Sequence, residues 1–316
     1  MILYIFIFIV SCFLLGLAGK WLIGALSRVA LILSLKEFVV AFFIMAVGTT
    51  IPNLMIGIVS ALNKVPELSF GDVVGANIFD LSVVMGLAAI ISKAGLSSYS
   101  KTVQGTSIFA VIIAVLPLLL VLDGILSRVD GILLLLSFVI YSAWLFSKKE
   151  RFTKKYDGSH QKLGITNFLK DLAIIAAGII LLLAGGEGIV KSAIYFSEVM
   201  NMPLGLIGIF IVAIGTCLPE AFFCLHAAKE GKDWMIFGNL MGNVIITATL
   251  VLGIVSLIQP INVSSISYFV IARFFLLATV IFFFIFLRTG HRITRKEGIF
   301  LLGIYIAFII AEIMLI

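Results

Sequence analysis

Eight residues, Ala46-Val47-Gly48-Thr49-Thr50-Ile51-Pro52-Asn53, recur in altered form as Ala213-Ile214-Gly215-Thr216-Cys217-Leu218-Pro219-Glu220, each copy inside a long hydrophobic run. The two copies lie 167 positions apart, and Gly71/Gly238, Gly75/Gly242, Gly86/Gly253 and Gly131/Gly298 keep the same offset. A constant offset over that length leaves no room for a net insertion. The chain therefore reads as two halves, 1–147 and 167–316, joined by the polar stretch 148–166 with its cluster of Lys and Arg.

Hydrophobic residues make up 62% of the 316 positions and charged residues 12%, which cannot cover a globule with a water-compatible surface. Spanning the hydrocarbon takes about 20 apolar residues per helix. Ten such runs are present, at roughly 2–19, 37–62, 70–92, 103–122, 130–147, 168–190, 203–227, 234–258, 267–287 and 297–316. None shows the ten-residue alternation of a membrane barrel. The expected fold is an all-α membrane protein with ten transmembrane helices, as two five-helix repeats with helices two and seven broken at the Gly-Thr-x-x-Pro segments. Five is odd, so the second repeat enters the membrane in the opposite sense. In inverted repeats of this kind, sites form near the bilayer midplane where discontinuous helices meet.

Lys and Arg mark the cytoplasmic connections. With the N-terminus outside, 18 of the 22 basic residues fall on the inner side, seven of them between Lys148 and Lys170. Both termini are thus expected outside a cell membrane, with the 148–166 linker cytoplasmic. The net charge of +6 is accounted for by this asymmetry facing anionic membrane lipid, without nucleic acid. The first run lacks a basic residue before it and a small-residue cleavage site, so it reads as helix one and not as a secretory signal. Cys12, Cys217 and Cys224 show no C-x-x-C spacing, and neither a disulfide framework nor a zinc site is indicated.

Within each repeated segment Gly relaxes the helix and Pro withholds an N–H, so a carbonyl about one turn earlier loses its donor. Ala46 and Ala213 sit near that level. Thr49, Thr50 and Thr216 add hydroxyl oxygens, and oxygen ligands suit hard cations such as Ca²⁺ and Na⁺. An ionisable group inside a membrane helix is a functional candidate by default. Glu220 and Asp80 are the deep acids, and by the offset they face Asn53 and Thr247, which gives one acid and one neutral oxygen per half. Glu37, Glu67, Asp72, Asp123, Asp130, Glu187, Glu198, Asp233 and Glu297 fall near helix ends and read as caps or solvated groups, with Glu312 an exception deeper in the last helix. His226 reads as an interfacial side chain.

These motifs resemble those of the cation/calcium exchanger superfamily, most closely its short prokaryotic sodium/calcium exchangers: Gly-Thr-x-x-Pro-(Glu) in the second helix, then Gly-(Asp/Asn)-x-x-Gly-x-Asn-Ile in the third. The resemblance covers essentially the whole chain. It implies a central cluster of Ca²⁺ and Na⁺ sites lined by Ala46, Thr49, Thr50, Asn53, Ala76 and Asp80 with Ala213, Thr216, Cys217, Glu220, Asn243 and Thr247. Asn53 stands where that family usually has Glu, Ala76 and Asn243 where Ser is usual, Cys217 where Ser or Thr is usual, and Val244 and Thr247 where Asn and Asp are usual. The sequence thus predicts a secondary antiporter of Ca²⁺ against Na⁺ or H⁺, with two carboxylates in place of the three the family implies and fewer coupling ions. The other transport reading is a monovalent cation antiporter of Na⁺/H⁺ type. A channel would not need paired broken helices. A hydrolase would need a nucleophile and base that His160, His226 and His291 do not supply. No cofactor and no obligate protein partner are expected beyond membrane lipid and the transported ions.

Overall fold

The computed structural model describes residues 1–32, 37–92, 94–147, 165–263 and 266–314. The chain is an all-α membrane protein, and among the described residues each of the ten hydrophobic runs is largely helical. Helix α1 (Ile2–Ile32) is followed by α2 (Glu37–Leu62) and by α3 (Glu67–Phe79), which passes through a π-helical turn at Asp80–Val84 into α4 (Met85–Ile91). Next come α5 (Lys101–Leu120), α6 (Arg128–Ser147) and α7 (Ile165–Met200). A short α8 (Leu204–Ile207) runs through a second π-turn, Gly208–Val212, into α9 (Ala213–Lys229). Helix α10 (Asp233–Ile246) and α11 (Leu252–Ile258) flank a third at Thr247–Val251, and α12 (Ile266–Arg288) and α13 (Arg295–Ile313) complete the chain. The charged linker lies outside the described residues except for its last two positions.

Among the described residues eight helical segments are long and apolar enough to cross a membrane. The other two runs, in α2 and α13, form helices of 26 and 19 residues. The 31 residues of α1 extend well past the run that ends at residue 19, because Lys20 and Arg28 do not interrupt helical hydrogen bonding. At about 1.5 Å per residue this helix exceeds the roughly 30 Å hydrocarbon core.

The expected breaks at the two prolines are not where the helices depart from α geometry. Pro52 lies inside α2 and Pro219 inside α9, in uninterrupted α-helix. A proline ring removes one i→i−4 bond without ending the helix, and for Pro219 the carbonyl deprived of its donor is that of Gly215. The carbonyl of Ala213, the sequence candidate, lies 3.0 Å from the Thr216 hydroxyl oxygen. The irregularity in this helix lies one turn earlier, at the π-turn, where the widened helix likewise shifts the carbonyl register.

The spans containing α3–α4 and α10–α11 are the most buried in the bundle, and α1 and α6 lie toward its outside. Helix α3 meets the α8–α9 segment backbone to backbone. A Cβ on Gly71 would stand 2.1 Å from the carbonyl oxygen of Gly205, and one on Gly75 would stand 2.2 Å from that of Ile209. The same device joins α4 to α13 through Gly86 and Gly298, and α11 to α6 through Gly253 and Gly131. Two short antiparallel ladders cross the ends of the bundle. β1 (Leu96–Ser97) pairs with β4 (Arg292–Ile293), and β2 (Ile125–Leu126) pairs with β3 (Ile261–Asn262). β1 precedes α5 and β4 follows α12, so these two helices run antiparallel between the same pair of ladders.

Because a backbone carbonyl cannot rotate out of the way as a side chain can, Gly71→Ala should lower stability by about 1–3 kcal/mol, the usual range for overpacking. Thermal unfolding of the detergent-solubilised protein reads this directly, and an unchanged midpoint would contradict the close approach.

Candidate cation site

Four helices bring their polar residues to the middle of the bundle, and helical periodicity explains which ones. Asp72, Ala76 and Asp80 recur every four residues along α3 and the start of its π-turn, on one face. Their counterparts 167 positions later, Asn239, Asn243 and Thr247, form the matching face of α10. Thr49, Thr50 and Asn53 come from α2, and Ala213, Thr216, Cys217 and Glu220 from α9. Thr49 is half-buried, and Thr50, Asn53, Ala76, Asp80, Ala213, Thr216, Cys217, Glu220, Asn243 and Thr247 are buried. Ala46 falls in the part of α2 whose side chains lie outside the described residues.

Hydrogen bonds tie these helices together crosswise. The Asn53 amide donates to Asp72 Oδ2 at 3.2 Å and to Thr216 Oγ1 at 3.4 Å. The Thr216 hydroxyl lies 3.1 Å from Asp72 Oδ1. Thr49, the α2 counterpart of Thr216, donates to Asn239 at 3.4 Å. Across the bundle, Asn243 donates to Asp80 Oδ2, and Thr247 donates to Asn77 Oδ1 at 3.0 Å. The Cys217 thiol reaches the Ala76 carbonyl at 3.9 Å and also contacts Asp80. Ala76, Ala213 and Cys217 pack against one another as a small apolar contact beside these groups.

Three carboxylates therefore lie in this cluster where the sequence reading counted two. Asp72, Asp80 and Glu220 are each 0% exposed, and Asp72 and Asp80 stand close enough to Glu220 to repel it when charged. Assigning Asp72 to a helix end was wrong because α3 begins at Glu67, three residues before the hydrophobic run, which carries Asp72 into the second turn. The signal was available in the sequence: Asp72 stands eight positions before Asp80 and 167 before Asn239. Asn77 and Asn239 were also missed. Of the other acids, Glu312 is buried in α13 as its depth suggested, but it makes none of these contacts. Glu187 sits at the surface beside Lys191, and His226 is exposed beside Glu230.

The cluster is short of donors. Among the described residues, nothing donates to Asn53 Oδ1, Asp80 Oδ1, Asn243 Oδ1 or either carboxylate oxygen of Glu220, and all five atoms are buried. Every one is an acceptor oxygen. Buried acceptors in that condition cost about 1–3 kcal/mol each, more when charged, unless a donor or a cation answers them. Among the described residues no group of three or more His, Cys, Asp or Glu side chains is placed to hold a metal ion by itself. Acid, amide and hydroxyl oxygens in mixture are ligands for hard cations and not for soft transition metals.

An all-helical membrane bundle enclosing a buried cluster of acceptor oxygens is an arrangement suited to handling ions. The sequence profile described as sodium/calcium exchanger protein matches residues 3–147 and 170–314, and the chain belongs to that family. It is 26% identical to the sodium/calcium exchanger MaX1 of Methanosarcina acetivorans, over 92% of this chain and 93% of that one. It is 23% identical to the inner membrane protein YrbG of Escherichia coli, over 95% and 94% of the two chains. Among solved structures it resembles the sodium-calcium exchanger NCX_Mj soaked with Na⁺ and Sr²⁺, with a TM-score of 0.66 and 26% identity over 98% of both chains.

Asn243 holds Asp80 across the gap between α10 and the α3 turn. Asn243→Leu leaves that carboxylate oxygen buried without its closest donor and should cost about 1–3 kcal/mol. The thermal midpoint of the purified variant, compared with that of the unsubstituted chain, measures it.

Proposed function

We propose that this chain is a secondary active antiporter that exchanges Ca²⁺ for Na⁺ across a cell membrane by alternating access. The observation that carries this reading is the set of five buried acceptor oxygens on Asn53, Asp80, Glu220 and Asn243 to which no described group donates. A desolvated cation satisfies several such oxygens at once, and a carboxylate-containing oxygen set suits Ca²⁺ and Na⁺. Thr49, Thr50, Thr216 and Thr247 supply further hydroxyl oxygens, Ala46, Ala76 and Ala213 backbone carbonyls, and Cys217 a thiol beside them. The names of the relatives, sodium/calcium exchangers in two cases, point the same way.

In this reading residues 1–147 and 167–316 are two five-helix repeats of opposite orientation joined by a cytoplasmic linker, 148–166, with both termini outside. Several features support that arrangement. The π-turns at Asp80–Val84 and Thr247–Val251 are 167 residues apart, as are α4 and α11. The α4–α13 contact repeats as α11–α6, and the pairing of β1 with β4 has its counterpart in that of β2 with β3. Alternating access then requires the helices around the cluster to open it to one side at a time. Asp72 adds a third buried carboxylate to the two, Asp80 and Glu220, expected of the site.

Reconstitution tests the function. Na⁺-loaded proteoliposomes diluted into Na⁺-free medium should accumulate ⁴⁵Ca²⁺, and collapsing the Na⁺ gradient should stop them. Uptake that follows an imposed pH gradient alone would make H⁺ the coupling ion. Exchange of Na⁺ for H⁺ without Ca²⁺ movement would replace the proposal with the monovalent reading. Glu220→Gln and Asp80→Asn should each cut Ca²⁺ uptake at sub-saturating Ca²⁺ by more than about tenfold, at least the loss typical of removing an outer-shell partner. Full uptake by either variant would remove that residue from the site.

A further inference from the structure

Asp72 differs from the other two acids of the cluster in one respect: both of its oxygens are spoken for. Oδ1 accepts from the Thr216 hydroxyl at 3.1 Å and Oδ2 from the Asn53 amide at 3.2 Å. It is 0% exposed and reaches from α3 to hydrogen-bond with Asn53 of α2 and Thr216 of α9. Neither of its oxygens is among the buried acceptors that lack donors, whereas Asn53 Oδ1 is.

The Asn53 side chain has one donor end and one acceptor end, and a carboxylate can only accept. Asp72 therefore fixes which way the amide points. With Nδ2 committed to Asp72 Oδ2 and Thr216 Oγ1, the carbonyl oxygen is directed away from them as an undonated acceptor. An uncharged group at position 72 would present both a donor and an acceptor, and either amide orientation would then be satisfied. A carboxylate hydrogen-bonded behind a ligand also raises that ligand's electron density and adds its own charge at short range, in surroundings of low dielectric.

Resting on the cation-site reading, we infer that Asp72 is a positioning residue of the site: it orients the Asn53 amide with its oxygen toward the cation and supplies the third negative charge from one side chain behind. The charge that a Glu at position 53 would place in direct contact with the ion is thereby moved back onto α3 and transmitted through an amide.

The test is Na⁺-driven ⁴⁵Ca²⁺ uptake by the full chain in proteoliposomes, with half-saturating Ca²⁺ and maximal rate determined separately. Asp72→Asn is isosteric and retains a hydrogen-bonding side chain, so a purely structural role predicts unchanged kinetics. The inference predicts half-saturating Ca²⁺ raised about 10–100-fold, the loss typical when a group hydrogen-bonded behind a metal ligand is removed, with the maximal rate largely kept. A rise of less than about tenfold in a folded variant overturns it. The double substitution Asn53→Asp/Asp72→Asn restores three carboxylates and leaves an amide behind the acid, so it should fall within about tenfold of the unsubstituted chain. If Asp72→Asn does not fold, the double variant decides alone: recovery supports the inference, and a larger loss or a failure to fold assigns Asp72 to structure and overturns it. Should the unsubstituted chain show no Na⁺-driven Ca²⁺ uptake, the antiporter reading fails instead, and the two failures are distinct.

Discussion

The structure depends on how closely α3 approaches α8 and α9. Gly71 and Gly75 let the helix backbones come within a distance that no side chain would permit, and only at that distance can Asp72 reach Thr216 and Cys217 reach Ala76. The π-turn before α9 belongs to the same contact, since Ile209 within it is the residue whose carbonyl faces Gly75. Charge burial follows from this contact. Asp72 and Asp80 are tolerable in a hydrophobic bundle because a hydroxyl and amides from neighbouring helices reach them, and the hydroxyl, that of Thr216, comes from the segment that touches α3 through glycine.

The cluster is also organised by what it lacks. Thr216, Asn53 and Asn243 donate to Asp72 and to Asp80 Oδ2, while Asn53 Oδ1, Asp80 Oδ1, Asn243 Oδ1 and both oxygens of Glu220 receive no donor among the described residues. Such a half-satisfied network is expensive in a static core and useful in a protein that must take up and release something positively charged. The apolar contact of Ala76, Ala213 and Cys217 keeps two of the contributing helices in register without consuming any of those oxygens.

The periodic part of this design was legible in the sequence and the local part was not. A fixed 167-residue offset relates Gly71 to Gly238 and Gly86 to Gly253, and the hydrophobic runs coincide with the described helices. Glu220 and Asp80 stood out because an acid deep in an apolar run is costly to insert and persists where it binds or moves charge. Asp72 did not, because it stands only two residues into its hydrophobic run, and α3 begins before that run does. Helix irregularity was misplaced for a related reason. Proline advertises itself in a sequence, whereas a π-turn depends on how the backbone accommodates a neighbour, and Gly208–Val212 carries no residue that announces it. The length of α1 escaped too, since Lys20 and Arg28 end an apolar run without ending a helix.

The two-residue ladders look slight, yet each joins a strand from before residue 148 to one from after residue 164. Neither part of the chain closes its own sheet edges. Each borrows the missing strand from the other at both ends of α5 and α12, as the protomers of an interlocked dimer would. The peptide connecting them makes that dimer permanent and fixes its composition at one copy of each part. Covalent continuity thereby keeps Asn53 and Glu220, 167 positions apart in the sequence, in a fixed one-to-one ratio.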